Sequence, residues 1–485
     1  MKESPHRETR WGADSAMIAA EYVFIANCAL IAGIVAASIS WPFWWIVLAG
    51  CSALILTAFT KRNWSIVFCA APLVLGALYY HAYILYAEKS YGSIEEGKTL
   101  LLTGTIDHEP LRRERVQIIN LRLDAPREGT ITILAAPEYP LSFLDTISIE
   151  GVVERGEVRG SAPQVIFPQI TVTGRRETTD LKSLLIAFKL RLLEYVRKAL
   201  AAEPAALLEG ILLGERGNFS GELRAKMAAS GTTHLVALSG YNIMIVIIAI
   251  GAIAKQILSR RNALIAVSVG IVLFVVMVGA EASVVRAALM GFLLLLALQR
   301  GHIYDIKNSI AFVAVLMLLV DPRSAVVDKG FQLSFISLLG IVYIKPMIDA
   351  YRRPKKKHFE GGQMGDIVAT TLAAQLAVLP ILLFSFSGFS LSSIISNILI
   401  IPIMPLTMFL GFCFLTLSLI APPLGFFTAK ILEILLHYEL AVIARFAEWQ
   451  IPVPFSLNSV ILVFLCYGAM GIVLWHTYAQ NAAKH

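Results

Sequence analysis

The sequence predicts a polytopic α-helical membrane protein of about 12 spans, with a small extracytoplasmic β-barrel (OB-like) domain inserted after the third span. Three observations predict it. The 485 residues are 57% hydrophobic and only 15% charged, against roughly 25% charged in a soluble domain. A charge at the middle of a membrane helix costs about 2.5–3.5 kcal/mol, which confines charges to loops and interiors. Apolar runs of spanning length recur at both ends of the chain, and residues 88–180 between them change to short β-branched stretches broken by turn residues.

The N-terminal region, 1–87, opens with sixteen polar-rich residues and then three apolar runs at 17–39, 42–60 and 64–86. The first run is long enough to span, so it is read as a retained anchor rather than a cleaved signal. In the 88–180 domain the expected strands are 101–106, 116–123, 130–134, 146–153 and 165–172, with breaks at Glu109-Pro110, Arg127-Glu128-Gly129, Pro137, Pro140, Gly156 and Gly160. Five short strands in so few residues suit a small antiparallel barrel.

Residues 181–230 return to a helical period. Leu181, Leu184, Leu185, Phe188, Leu192 and Val196 fall on one side, and Lys182, Lys189, Arg191, Glu194, Arg197 and Lys198 occupy the rest. Such a helix either lies in the headgroup layer or packs on the neighbouring domain. From 231 to 485 the chain is almost continuously apolar, with spans expected near 232–256, 262–280, 283–299, 308–320, 328–346, 366–386, 391–418, 424–447 and 457–478. Pro402 and Pro405 interrupt the seventh. Simple alternation puts Lys61-Arg62, Arg260-Arg261, Arg300, Lys307 and the 352–357 basic run on one side, together with both termini. The positive-inside rule makes that side the cytoplasm and places the β domain outside.

Polar groups inside apolar spans are functional suspects, because lipid leaves them unsatisfied. The richest stretch is 230–242, with His234, Ser239 and Asn242 among two glycines. It reads either as a broken helix with a polar tip or as close helix packing through small residues. Glu281 and Arg286 stand near the junction of two spans, as a structural ion pair or as a cation facing an anion. Asp328 and Gln332 share a helix face, as do Thr371 and Gln375, while Ser393, Ser396 and Asn397 precede the proline break. The expected pathway lining is His234, Ser239, Asn242, Glu281, Arg286, Asp328, Gln332, Gln375 and Asn397. No catalytic residue, metal-ligand set or cofactor is expected, and the five cysteines lie in apolar runs without CxxC spacing.

These stretches in this order resemble the ComEC family of competence proteins. The resemblance rests on GILLGER (210–216), SGTTHLVALSGYN (230–242), GAEASVVRAALMG (279–291), DKGFQLSF (328–335), AAQLAVLP (373–380) and SNILIIPIMP (396–405). It implies a channel passing one strand of incoming DNA across the cytoplasmic membrane in natural transformation. It also implies a DNA receptor, a helicase-like ATPase and a separate nuclease as partners. The sequence departs from the family where its SG-x-H pattern reads Ser239-Gly240-Tyr241-Asn242 here, and it contains no HxHxDH motif of the metallo-β-lactamase-like domain that many members carry.

Residues 88–180 hold 11 Lys and Arg against 15 Asp and Glu, a net −4 that leaves +11 for the rest. A surface that grips phosphates is basic, and stacking residues here are few: Tyr139, Phe143 and Phe167. The cluster Arg112, Arg113 and Arg115 reads as a solvated hairpin tip. A transporter of a smaller polar or lipid-linked substrate, with Glu281 and Asp328 as coupling carboxylates, is the competing function. An enzyme built on His234 and Ser239 fits poorly, because five residues turn about 140° round a helix.

Overall fold

The computed structural model describes residues 6–39, 64–91, 97–112, 116–124, 129–139, 141–156, 161–176, 180–215, 217–236, 240–300, 305–352, 363–385, 392–449 and 460–482. The described chain divides into two compact units, residues 1–178 with 296–331, and residues 179–295 with 332–485.

The first unit holds α1 (His6–Ser38), α2 (Trp64–Tyr91), a seven-stranded sheet, and the later helices α10 (Ile306–Val320) and α11 (Ser324–Val327). α1 and α2 cross at Gly33 and Gly76. A Cβ on Gly33 would strike the Leu73 carbonyl and one on Gly76 the Leu30 carbonyl, so the crossing needs two residues without side chains. α10 packs on α1 as well, and Tyr79 Oη donates to the Leu319 carbonyl at 2.6 Å.

The strands are β1 (Thr99–Ile106), β2 (Leu111–Arg112), β3 (Gln117–Leu123), β4 (Thr130–Ala135), β5 (Asp145–Glu154), β6 (Gln164–Ile166) and β7 (Gln169–Arg175). β1, β3, β4, β6 and β5 pair in that order, and β5 pairs back onto β1, which closes a five-stranded barrel. Four of its five junctions are antiparallel, but β4 and β6 run parallel, a departure from the wholly antiparallel expectation. Alternation with period two fills the interior with Leu102, Ile119, Leu121, Ile131, Ile133, Ile147, Ile149, Val153 and Val165. The strand expected at 165–172 is two strands, because Pro168 has no N–H for the ladder and Phe167 turns the chain at φ +48°. Phe143 is buried, Tyr139 packs on the core, and Phe167 alone of the three expected stacking residues stands well exposed.

The second unit holds α3 (Leu181–Ala199), α4 (Ala202–Leu213), α5 (Gly221–Ala229), α6 (Thr233–Val236), α7 (Gly240–Ile257), α8 (Arg260–Met277), α9 (Ala282–Arg300), α12 (Lys329–Tyr343), α13 (Lys345–Arg352), α14 (Gln363–Ser385), α15 (Ser392–Ile400), α16 (Met404–Ile420), α17 (Pro422–Glu448) and α18 (Val460–Ala482), with the ends of α9 and α12 falling in the first unit. α4 is buried from Pro204 to Leu213 and apolar there but for Glu209, with Leu208, Ile211 and Leu212 wholly enclosed. α3 and α16 pack against it.

Among the described residues four helices are long and apolar enough to cross a membrane: Ala20–Ser38, Cys69–Lys89, Arg260–Met277 and Lys329–Ala350. A fifth crossing is available if α15 and α16, bent by 48° at their break, count as one. The bend lies at residues 401–403, where Pro402 lacks a backbone donor, and Pro405 stands in the first turn of α16. Five further apolar helices run 10–17 residues. The expected span at 42–60 lies outside the described residues. The one expected at 424–447 is α17, 27 residues long, which carries Lys430, Glu433, Glu439 and Arg445 and is not among the apolar spans.

A Gly33→Val substitution is expected to lower the unfolding midpoint of the full chain in detergent, since the α1–α2 crossing must open. Gly468→Val, on a glycine facing open space, should leave the midpoint unchanged.

Candidate functional site

The second unit gathers many of its buried polar groups at two junctions. The first joins the 230–234 turn to α15. Gly231 sits in left-handed backbone at φ +68°, and a Cβ there would collide with Ser393. Ser396 Oγ donates to the Ser230 carbonyl at 2.7 Å, and Ser230 and Thr232 share a hydroxyl–hydroxyl bond at 2.9 Å. His234 stands exposed on the short α6 with Nδ1 3.1 Å from the Gly231 carbonyl. Two stretches 166 residues apart thus meet through a serine hydroxyl. α15 carries Ser392, Ser393, Ser396 and Asn397, each at most 3% exposed. Neither end of the Asn397 amide and not the Ser393 hydroxyl has a hydrogen-bond partner among the described residues.

The second junction surrounds the loop after α4. Glu209, 1% exposed, accepts from Arg197 Nε at 2.8 Å and from Asn218 Nδ2 at 2.6 Å. Glu215 accepts from Lys189 Nζ at 3.1 Å and from the Gly217 N–H. Gly214 closes α4 in left-handed backbone, so the chain reverses between the two carboxylates. Burial pushes the Glu215 carboxyl up, but the Lys189 ammonium, the Gly217 N–H and Arg197 outweigh it and hold it below its usual value. Asn242 joins the same neighbourhood, donating to the Ile211 carbonyl at 3.1 Å.

α3 differs from the sequence expectation. Leu181, Leu184 and Phe188 are exposed, and the buried stripe is Ile186, Lys189, Leu192, Leu193 and Val196. The helix is turned because the Lys189 ammonium, expected on the outer face, goes inward to Glu215. Packing on the neighbouring domain is what the structure supports for its C-terminal half.

Of the other expected pathway residues, Arg286 is 4% exposed, with its guanidinium 5.3 Å from the centroid of the Phe335 ring. That contact brings the 279–291 and 328–335 stretches together, with Gln332 one turn from Phe335 on α12. Glu281 stands just before α9, and its carbonyl accepts from Val284 and Val285. The chain breaks just before it at Gly279 and Ala280, both at positive φ, and from Glu281 to Arg286 the helix runs on, so five residues set the two side chains about 140° apart round it. Asp328 belongs to the first unit, where Oδ1 accepts from the Gly330 N–H at 2.8 Å and caps α12. Gln375, half-buried on α14, has no partner for Oε1 among the described residues. Ser239 lies outside the described residues.

Glu209 and Glu215 were not expected as site residues. Their signal was present: one acid inside the apolar stretch of a helix and a second two residues after that helix, following a helix rich in cations.

A family model described as Competence protein matches residues 211–479, more than half of the chain. ComE operon protein 3 of Bacillus subtilis (strain 168) is 26% identical over 241 residues, which is 49% of this chain and 29% of that relative. The match therefore spans less than a third of the relative's length. No solved structure matches.

Lys189→Met alone is expected to lower the unfolding midpoint sharply, because stranding one buried charge costs about 3–5 kcal/mol. Adding Glu215→Gln should restore most of the loss. Since the folded Glu215 carboxyl lies below its unfolded value, the pair contributes fully at neutral pH and is lost as pH falls through that lowered value. Unfolding measured against pH should show that acid loss in the wild-type chain and not in Glu215→Gln.

Proposed function

This chain belongs to the competence protein family, and from that premise we propose that it forms a conduit passing single-stranded DNA across the cytoplasmic membrane during natural transformation. The observation that carries the reading is the junction between the 230–234 turn and α15. An amide sealed in an apolar interior with neither end satisfied costs about 1–3 kcal/mol per stranded group. Asn397 and Ser393 are such groups, and they lie on the first half of a bent helix pair. Broken helices with polar inner faces are where transporters hold their solutes. Water or a passing polar solute would supply the missing partners.

Arg286, buried in the same unit, provides a cation suited to phosphate in a medium where Coulomb interactions are strong. His234, Gln332 and Gln375 complete a lining of neutral donors and acceptors, suited to a strand of any sequence. The barrel would lie outside and both termini in the cytoplasm, by the distribution of basic loops. With its net charge of −4 the barrel is poorly suited to grip phosphates, so capture of DNA falls to a separate receptor. The one match to GxxxxGK[ST], residues 92–99 (GSIEEGKT), comes after a helix and before a strand, the reverse of the strand–loop–helix order of a phosphate-binding loop, so a helicase-like ATPase is a fitting motor, with a separate nuclease removing the other strand. The competing transporter reading takes Glu281 and Asp328 as coupling carboxylates, and the capping bond of Asp328 to the Gly330 N–H weakens it for Asp328.

Deleting the gene in a transformable host should abolish DNA uptake, and normal transformation in the deletion strain would overturn the reading. Asn397→Leu, at unchanged membrane level, is expected to reduce transformation at least about tenfold, equivalent to roughly 1.4 kcal/mol.

A further inference from the structure

α17 carries a carboxylate that neither junction uses. Glu439 is 1% exposed and lies on the helix's buried stripe with Ala429, Leu432, Leu436 and Ile443. Thr407 Oγ1 lies 2.6 Å from its Oε1, and Oε2 has no hydrogen-bond partner among the described residues. The Thr407 hydroxyl is also 3.5 Å from the carbonyl of Ile403, the residue that starts α16 at the bend. Ser392 Oγ donates to the Phe446 carbonyl and Tyr438 Oη lies 3.5 Å from the Leu399 carbonyl, so α15 runs antiparallel along α17. Glu439 therefore stands level with the C-terminal end of α15, at the break of the bent pair.

An ionised carboxylate with one hydroxyl partner in a dry interior is far costlier than the neutral acid, and such groups take up a proton instead. The negative end of the α15 dipole favours the same form. Neutralisation by a cation is not offered by the neighbours. α15 and α16 contain no charged residue. On the other packed elements, α4 carries Glu203 and Glu209, the latter held by Arg197, and α5 carries Glu222 paired with Lys226, together with Arg224. On α17 itself Lys430 pairs with Glu433, Arg445 with Glu448, and His437 binds the Glu433 carbonyl. The neutral acid can donate to Thr407, whose own proton then points to Ile403.

We propose that Glu439 is a proton-binding site that holds its proton while α16 is docked on α17, and that release of this proton to water frees α16, so that opening at the bent pair is tied to proton uptake and release. The site itself stands on the geometry above; its link to transport rests on the conduit reading. Full-length protein in lipid bilayers should show, by infrared difference spectroscopy over a pH series, a protonated-carboxyl C=O band that fades as pH rises. The band should be absent in Glu439→Gln and retained in Glu433→Gln. Identical spectra for wild type and Glu439→Gln would overturn the site. In a transformable host, Glu439→Gln at normal membrane level should cut transformation at least about tenfold, and Glu439→Asp should restore part of it. Wild-type transformation by Glu439→Gln at every external pH would overturn the coupling. Normal transformation of the deletion strain would instead remove the conduit reading and leave the infrared result standing.

Discussion

The second unit is organised by one constraint: a polar group removed from water must find its partner inside the protein. Glu209 and Glu215 meet it with cations from α3, Asn242 with a carbonyl of α4, and Ser396 with a carbonyl at the 230–234 turn. Each bond ties elements distant in sequence, so the same interactions that remove an energetic cost also fix where the helices stand. Among the described residues Asn397, Ser393 and Glu439 do not meet the constraint fully, nor does Gln375 of α14, and the first three lie along the bent pair or against it. Three of the incompletely satisfied groups of this unit are thus gathered at the bent pair, in keeping with the proposed path for a hydrophilic solute.

Near those groups the packing is tight. Gly231 touches Ser393, Gly411 of α16 lies against Leu208 and Leu212 of α4, and Gly210 lies against Val236 and Phe219. The bent pair is therefore flanked by close-packed helix on one side while its own polar face keeps open valences. Rigid surroundings let a local event at the bend produce a defined displacement, because well-packed interiors shift between discrete arrangements and do not deform continuously.

Much of the architecture was legible in the sequence. Period-two alternation located the barrel strands, and Pro402 with Pro405 located the bend. The extra break at Phe167-Pro168 could have been read from the proline alone. What escaped was tertiary. Lys189 looks like any outward lysine of an amphipathic helix until Glu215, 26 residues away, is placed beside it. Glu439 reads as one more charge on a charged helix, although its spacing from Leu432, Leu436 and Ile443 puts it on the apolar stripe. Pairing of the 230–234 turn with α15 has no local signature, since Ser396 and Ser230 are small polar residues that suit many contexts.

The barrel is closed by β1, which pairs with β3 on one side and β5 on the other. Its last member, β6, comes more than fifty residues after β1 begins, and its parallel bond to β4 cannot form until the intervening β5 has crossed over. A nascent chain therefore delivers its first strands without a finished sheet to join, and closure is a late, non-local event of the slow kind. Between synthesis and closure those apolar edges are exposed to aggregation. Biogenesis of this molecule thus includes an interval in which a half-built sheet must be shielded, and the rate of ring closure sets how long that interval lasts.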